Sequence, residues 1–431
     1  MSEAESAPER TDVYRAPVGT RDVLPPESER WTDVVARFAD RAARYGFGLV
    51  ITPIFEHREV FVRVGEHTDV VRKEMYDFDD KGGRRIALRP EGTASVVRAY
   101  AQHRPTPPWK TWYVAPNYRY ERPQKGRYRQ HFQLGVEVLG VDDPDVDVEV
   151  IDLAYGFLRE LGVPIRLLVN SMGDVESRAA HREALLEYFR AHAVELGAEF
   201  AERAEANPLR LLDAKNPEWQ AVLDRAPKLP DYLNDESRAA LERVQRGLDA
   251  LGIEYELAPR LVRGFDYYTG TTFEFVSDAL DAAQSTVCGG GRYDQLVEQM
   301  GGPPTPGIGF GMGIERVLIA LDESGPALEP RGMDAFVVDA IGDGSIVELV
   351  HQLRALGLRT DRAYGGRSMK AQMKVADRSG ATWVVVLGAK EAERGVVAVK
   401  NMVTGEQREV LRADVGPWLV TAIAEGTEGT A

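Results

Sequence analysis

Residues 119–137, "RYERPQKGRYRQHFQLGVE", hold five Arg or Lys side chains and only two acidic ones, Glu121 and Glu137. The chain as a whole has a formal net charge of −15, and the next fifteen residues, "VLGVDDPDVDVEVID", have six acidic side chains and no basic one. A solvated hairpin tip would account for such a loop; an anion site accounts for it more specifically. Strand alternation sets Arg119 and Glu121 on one face, and His131, Gln133, Gly135 and Glu137 on one face of the following run. If the runs pair, one sheet face presents a guanidinium, an amide and two carboxylates around Gly135, which leaves room for a ligand. A guanidinium grips phosphate through two hydrogen bonds at once.

Matching groups occur elsewhere. "LRPEGT" sets Arg89 and Glu91 on alternate positions before a helix, "LVRGFDYYTG" holds Arg263, Tyr267 and Tyr268, and "GIERV" puts Arg316 at a helix start. Arg89, Arg119, Arg263 and Arg316 in glycine-rich settings suggest a polyphosphate. No GxxxxGK[ST] and no HExxH occurs, and the seven histidines are scattered. "GIGFGMG" follows no N-terminal βαβ unit, which argues against a dinucleotide fold.

The elements that must carry these groups are readable from periodicity. Trp31, Val35, Phe38, Ala42 and Tyr45 predict a helix over 27–45, stopped at Gly46. "LVITPIFE" predicts an edge or kinked strand because of Pro53. "MYDFDD" and "RRIALRPE" predict a hairpin around "KGG", and "GTASVVRAYAQH" a helix. "TWYVAPNYRYE" and "RQHFQLGVEVLG" predict strands, with a helix after them ending at Gly162. Residues 173–250 predict a helical insertion. "STVCGGGRYDQLVEQM" predicts strand, glycine turn and helix, and "TPGIGFGMGIERVLIAL" a glycine-rich strand feeding a helix. From 331 to 431, strands alternating with helices predict a small α/β domain with a largely parallel sheet, after the linker "ESGPALEPRG".

Bulk composition narrows the class. A chain of 431 residues is too long for one ordinary core. No apolar run approaches the ~20 residues that cross a bilayer. The polar, acidic segment 1–15 predicts a disordered tail rather than a signal. The lone Cys288 excludes an internal disulfide framework and fits a packed thiol in a reducing, cytoplasmic setting. Forty-three Arg against ten Lys, with dense acid, fits a salt-rich cytoplasm or a GC-rich genome. Residues 354–378 hold seven basic and two acidic side chains, a candidate phosphate-backbone patch.

Together these motifs resemble the histidyl-tRNA synthetase family of class II aminoacyl-tRNA synthetases, from about residue 16 to the C-terminus. "GTRDVLPPE" with its helix resembles motif 1, "YRYERPQKGRYRQHFQLGVE" motif 2, and "GIGFGMGIERV" motif 3. "LVRGFDYYTG" and "GGGRYD" resemble the two signatures of the histidine enzymes. The resemblance implies an α+β fold: an antiparallel sheet flanked by helices over 16–328, with the insertion at about 173–250, and an α/β anticodon-binding domain over 331–431. It implies a cytoplasmic homodimer without membrane attachment that takes L-histidine, ATP with Mg²⁺, and tRNA(His). It implies ATP contacts from Arg119, Glu121, Arg263 and Arg316, with Arg119, Arg263 and Arg316 as the catalytic cations. Glu91, Gly92, Thr93, Gln133, Glu137, Arg263, Tyr267, Tyr268 and Tyr293 would bind histidine. Gln124, Lys125 and Arg127 would meet the tRNA acceptor end. An aromatic residue near position 131 usually stacks on adenine in this family. Here the order is His131-Phe132, and alternation puts only one on the ligand face. A regulatory paralogue would lack "VRGFDYYTG" and the C-terminal domain, and synthetases for proline, glycine or threonine would lack Glu137 with the Tyr267-Tyr268 pair.

Overall fold

The computed structural model describes residues 13–65, 68, 70–212, 214, 216–261, 267–280, 285–324 and 332–428. The chain divides into two units, Met1–Leu328 and Glu329–Ala431. Most of the expected tail (1–12) and of the linker (325–331) lies outside the described residues.

Among the described residues, the first unit has eleven strands: β1 (Gly48–Leu49), β2 (Phe55–His57), β3 (Asp77–Asp79), β4 (Arg85–Leu88), β5 (Trp109–Tyr118), β6 (Gln130–Leu139), β7 (Arg166–Ser171), β8 (Glu256–Leu257), β9 (Thr269–Val276), β10 (Thr286–Arg292) and β11 (Gly307–Gly313). Eight form one sheet in the order β1-β5-β6-β11-β10-β9-β7-β8. Its six central strands are antiparallel to their neighbours. The short edge strands β1 and β8 join in parallel, so the sheet is mixed at its margins. The run "LVITPIFE" is not one strand. It breaks around Pro53, which has no N–H to give a ladder, into β1 on the large sheet and β2 on a separate β2-β4-β3 sheet. The expected hairpin is β3–β4, with Gly83 at φ 74 in its turn.

The α-helices among the described residues of this unit are α1 (Glu27–Arg44), α2 (Arg58–Gly65), α3 (Thr93–His103), α4 (Pro144–Leu161), α5 (Val175–Leu196), α6 (Ala198–Ala206), α7 (Pro208–Leu211), α8 (Gln220–Leu223), α9 (Asp235–Ala250), α10 (Leu296–Gln299) and α11 (Ile314–Ser324). The acidic run after β6 has a local reason. Asp143 caps α4 by accepting from the Asp145 N–H, Pro144 opens the helix, and Asp145 and Asp147 sit in its first turn, where the helix dipole favours negative charge. Gly162, at φ 82, closes it.

Alternation divides the large sheet. Trp112, Leu134, Val136, Phe310 and Met312 belong to one buried cluster with Val34 and Phe38 of α1 and Phe157 of α4. Phe38 meets Trp112, Phe157 and Phe310 edge-on. The opposite parity of β5, β6 and β11 faces away from that core and carries the polar residues. The described residues of 173–250 hold no strand: α5 to α9 are joined by turns and short 3₁₀ segments. Leu185, Phe189, Phe200 and Trp219 belong to a separate hydrophobic cluster there.

The second unit has β12 (Ala335–Asp339), β13 (Thr360–Arg362), β14 (Trp383–Leu387), β15 (Val396–Asn401) and β16 (Gln407–Leu411) in the order β13-β12-β14-β15-β16. Its helices are α12 (Ile346–Ala355), α13 (Met369–Arg378), α14 (Ala389–Glu393) and α15 (Val415–Glu428). Two pairings are parallel and two antiparallel, so the sheet is mixed rather than largely parallel. The difference is β16, "QREVL". It is almost wholly exposed, and its polar composition gives little strand signal.

Candidate active site

The registers align Glu274, Gly289, Gly311, Gly135 and Tyr113 in one row across β9, β10, β11, β6 and β5. Three adjacent glycines leave a strip of sheet without side chains between two walls. A cavity of ≈ 440 Å³ lies over it, lined by Arg119, Arg127, Arg316, Glu91, Glu121, Glu274 and Glu315, and by the rings of Tyr113, Tyr128, His131, Tyr267 and Tyr268.

The glycines serve protein groups as well as open space. A Cβ on Gly135 would overlap the ring of Tyr113, as would one on Gly92, so Tyr113 fills the gap that the sequence suggests for a ligand. A Cβ on Gly309 would overlap the Glu137 carboxylate, and one on Gly311 would crowd the Gln133 amide. Gln133 is fixed further by Asn117, whose Nδ2 donates to its Oε1 at 2.7 Å.

One end of the site is a buried acid cluster. Glu137 is fully buried just beneath the cavity surface. Thr93 donates to its Oε1 at 2.7 Å, Tyr113 donates to the same oxygen at 3.4 Å, and the Tyr293 hydroxyl donates to Oε2. Burial raises the Glu137 carboxyl to about 8, against the pull of these hydrogen bonds. Glu91, also raised by burial, accepts from the Thr93 and Ala94 N–H groups at 2.7 Å each and so caps α3. Tyr267 packs on Tyr268 at 4.6 Å between centroids and meets Tyr293 edge-on at 5.8 Å.

The other end is cationic. Arg119 lies just past the end of β5, rather than within it, and donates to the Pro90 carbonyl at 2.8 Å. Arg127 pairs with the buried Glu121. Arg316 donates to the carbonyls of Thr286 (2.8 Å) and Gly126 (3.3 Å). Burial, then the charges of Arg127 and Arg119, hold the Arg316 guanidinium below its usual range. The same surroundings depress His131 to about 3, through burial first and Arg119 and Arg316 next, so its imidazole is neutral at ordinary pH. Six residues of β6 separate His131 from Glu137, roughly 20 Å at ~3.4 Å per residue.

The remaining expected residues are distributed as follows. His131 lines the cavity, while Phe132 packs edge-on against Trp31 at 5.3 Å and its N–H donates to Glu315. Gln124 and Arg127 form a backbone bridge that closes the loop, and Lys125 pairs with Glu323 at 2.6 Å. Arg127 thus turns into the cavity rather than standing at the loop tip. Arg89 is not a phosphate group: its buried guanidinium is taken up by the carbonyls of Pro116, Thr52 and Pro53 and by the Thr52 hydroxyl. Arg263 lies outside the described residues. Tyr113, Glu274 and Asn117 escaped the sequence reading. Alternation back from Arg119 reaches Asn117 and Tyr113, but only once the β5–β6 register is known.

In the second unit, the basic residues of 354–378 sit at the end of α12, on β13 and along α13, and most are exposed. Arg362 lies over the exposed Tyr364 ring at 4.5 Å.

Comparison with known proteins gives matching results. A family model described as histidyl-tRNA synthetase matches residues 19–317, and one described as anticodon binding domain matches 337–421. The histidine–tRNA ligase of Geobacillus thermodenitrificans is 49% identical over 419 residues, covering 95% of this chain and 98% of the relative. That of Listeria monocytogenes is 47% identical over 406 residues, covering 91% and 95%. The crystal structure of apo S. aureus histidyl-tRNA synthetase superposes with a TM-score of 0.79 at 39% identity, covering 94% of this chain and all of that one.

Proposed function

Because the chain belongs to the histidyl-tRNA synthetase family and has the activity of a histidine–tRNA ligase, we propose that the trough holds ATP at its arginine end and histidine at its Glu137 end. The observation that carries this assignment is the polarity of the trough. Arg127 and Arg316 gather at one end, the buried Glu137 with tyrosine hydroxyls lies at the other, and Arg119 reaches between them to the Pro90 carbonyl beside Glu91.

Histidine activation brings a carboxylate against the α-phosphorus of ATP, and pyrophosphate leaves. Two anions must meet, so fixed cations lower the barrier by neutralising charge that develops at phosphorus. Arg119 serves the α-phosphate, with Arg263 opposite it on the strength of the "LVRGFDYYTG" resemblance. Arg316 serves the γ-phosphate, and Arg127, in the same cluster, adds a fourth cation for the triphosphate. Mg²⁺ enters as part of the nucleotide substrate, on its phosphate oxygens. Glu121 takes the adenine amino group and His131 lies beside the base. No side chain acts as a covalent nucleophile; holding the reactants in line supplies most of the acceleration.

Glu91, Gly92, Thr93 and Gln133 serve the amino and carboxylate groups of histidine. Glu137, Tyr267, Tyr268 and Tyr293 form the end that takes the imidazole. A substrate without two ring nitrogens leaves these polar groups unpaired. Gln124 and Lys125, at the loop tip, meet the acceptor end of tRNA(His), and the basic cluster of 354–378 meets its anticodon stem. The reading includes a homodimer, supported by exposed Leu49, Ile51, Ile54 and Phe55 beside the short edge strand β1. It also includes a cytoplasmic setting, which the single cysteine favours.

The test is histidine-dependent exchange of pyrophosphate into ATP by the purified protein, at low and high salt. Absence of exchange with histidine would overturn the assignment. Arg263→Ala is expected to cut exchange strongly and spare histidine binding.

A further inference from the structure

Thr269, within "LVRGFDYYTG", and Asp294, the last residue of "GGGRYD", are joined to each other. Thr269 follows Tyr268 directly, and Asp294 follows Tyr293. The Thr269 hydroxyl donates to Asp294 Oδ2 at 2.8 Å, and the Asp294 N–H donates back to Thr269 Oγ1 at 3.1 Å. The other oxygen, Oδ1, accepts from the Gly307 N–H at 3.3 Å and stands 3.5 Å from the Arg292 guanidinium. The Tyr293 N–H donates to the Gly307 carbonyl at 2.8 Å, and a Cβ on Gly307 would overlap the Tyr293 ring. One carboxylate therefore ties together the start of β9, the end of β10 and the start of β11.

The backbone alone does not set this spacing. The β9–β10 register shifts between Gly291 and Arg292, at the point where Arg292 faces Thr269. A bulge leaves residues outside the ladder's own hydrogen bonds. The side-chain link crosses this break. On its two sides stand the Tyr267–Tyr268 pair and Tyr293, which holds Glu137.

We propose that Asp294 and Thr269 are positioning residues that set the distance between the Tyr267–Tyr268 pair and the Tyr293–Glu137 pair, and with it the selectivity of the pocket for a flat ring carrying two nitrogens. The inference rests on the reading that this end of the trough takes histidine. Thr269→Val removes the hydroxyl at nearly constant volume. Asp294→Asn withdraws the charge that faces Arg292; with its NH₂ toward Thr269 the hydroxyl link reverses, and turned the other way the NH₂ opposes the Gly307 N–H and the Arg292 guanidinium, so neither orientation reproduces the parent contacts.

Steady-state pyrophosphate exchange separates the cases. Thr269→Val and Asp294→Asn are expected to raise KM for histidine about fivefold to tenfold, the scale of one or two lost hydrogen bonds. KM for ATP stays within about twofold, because the guanidinium end is untouched. Thr269→Ser, which keeps the hydroxyl, returns histidine KM to the parent value. The double variant Thr269→Val/Asp294→Asn is no worse than the poorer single one, since both break the same link. Unchanged histidine KM in the folded variants, or equal rises in both KM values, overturns the proposal. Tyr268→Phe runs beside them. If it too leaves histidine KM unchanged, the placement of histidine has failed and the inference falls with it. If it raises histidine KM while Thr269→Val does not, the inference alone has failed.

Discussion

The Tyr293 hydroxyl donates to the Glu137 carboxylate where neither residue reaches solvent, although the two stand 156 positions apart in the chain. The bond joins the residue that follows β10 to the C-terminal part of β6, under the floor of the trough. It makes the acid of motif 2 depend on the tyrosine of "GGGRYD".

Gly309 stands directly across from Glu137, and a Cβ there would overlap its carboxylate and crowd the Val136 carbonyl. Gly309→Ala is expected to displace Glu137 and raise KM for histidine at least tenfold, with a smaller effect on ATP. Paired exchange assays varying each substrate check this.

Glu137 also leaves a pH signature. Its folded carboxyl is raised to about 8 from an unfolded value near 4.5. A raised carboxyl favours the folded state fully below the unfolded value, and that contribution is lost as pH rises through the folded one. The melting temperature of the parent relative to Glu137→Gln is therefore expected to fall between about pH 5 and pH 8. Parallel melting curves across that range give the answer, and a constant difference contradicts it.

In the proposed assignment Arg119 and Arg316 serve ATP, whereas Glu137 serves histidine. Arg119→Ala is expected to lower kcat for exchange by about 10²–10³-fold, the scale seen when one preorganised charge stabiliser is removed. Arg316→Ala raises KM for ATP as well. Equilibrium titration with histidine alone should show both variants binding as the parent does.

His131 and Phe132 separate a binding role from a packing role. His131→Ala should raise KM for ATP by about tenfold or more, the worth of one base–aromatic stack. Phe132→Ala, which loses the contact with Trp31, should cost about 1–3 kcal/mol of stability. With its imidazole depressed to about 3, His131 adds no titration to the pH profile of ATP binding between pH 5 and 8.

Arg292 and Asp147 form a buried ion pair at 2.8 Å that joins β10 to the first turn of α4. Arg292→Met strands the carboxylate and is expected to destabilise the first unit by about 3–5 kcal/mol. Burial already raises Asp147 to about 6 despite Arg292. The penalty of the variant is therefore larger at pH 7 than at pH 5, where proton uptake relieves the stranded charge. Chemical denaturation at the two pH values measures the difference.

Much of this was legible from residue order. The β5 and β6 strands, the α1 and α3 helices and the helical insertion follow from periodicity, and alternation put Gln133 and Glu137 on one face. Alternation states which side a residue faces, and nothing of what stands across from it. Gly135 therefore read as room for a ligand when the Tyr113 ring occupies that room. Arg89 read as a phosphate group when backbone carbonyls surround it. Arg127 read as a loop-tip residue because its pairing with Glu121 depends on how the loop folds back. The Thr269–Asp294 link was invisible for the same reason, since 25 positions separate its ends.

The strip formed by Gly289, Gly311 and Gly135 has a practical consequence for inhibitor resistance. A flat inhibitor seated over Gly289 would lie on backbone, which point mutations alter only by adding a Cβ, and toward Gly311 and Gly135 it would meet the Gln133 amide and the Tyr113 ring. At Gly135 an added Cβ strikes Tyr113, and at Gly311 it crowds Gln133. Escape from such a compound would have to arise along the walls, at Arg127, Tyr268 or Glu274, where substitution also disturbs the groups proposed to serve the substrates.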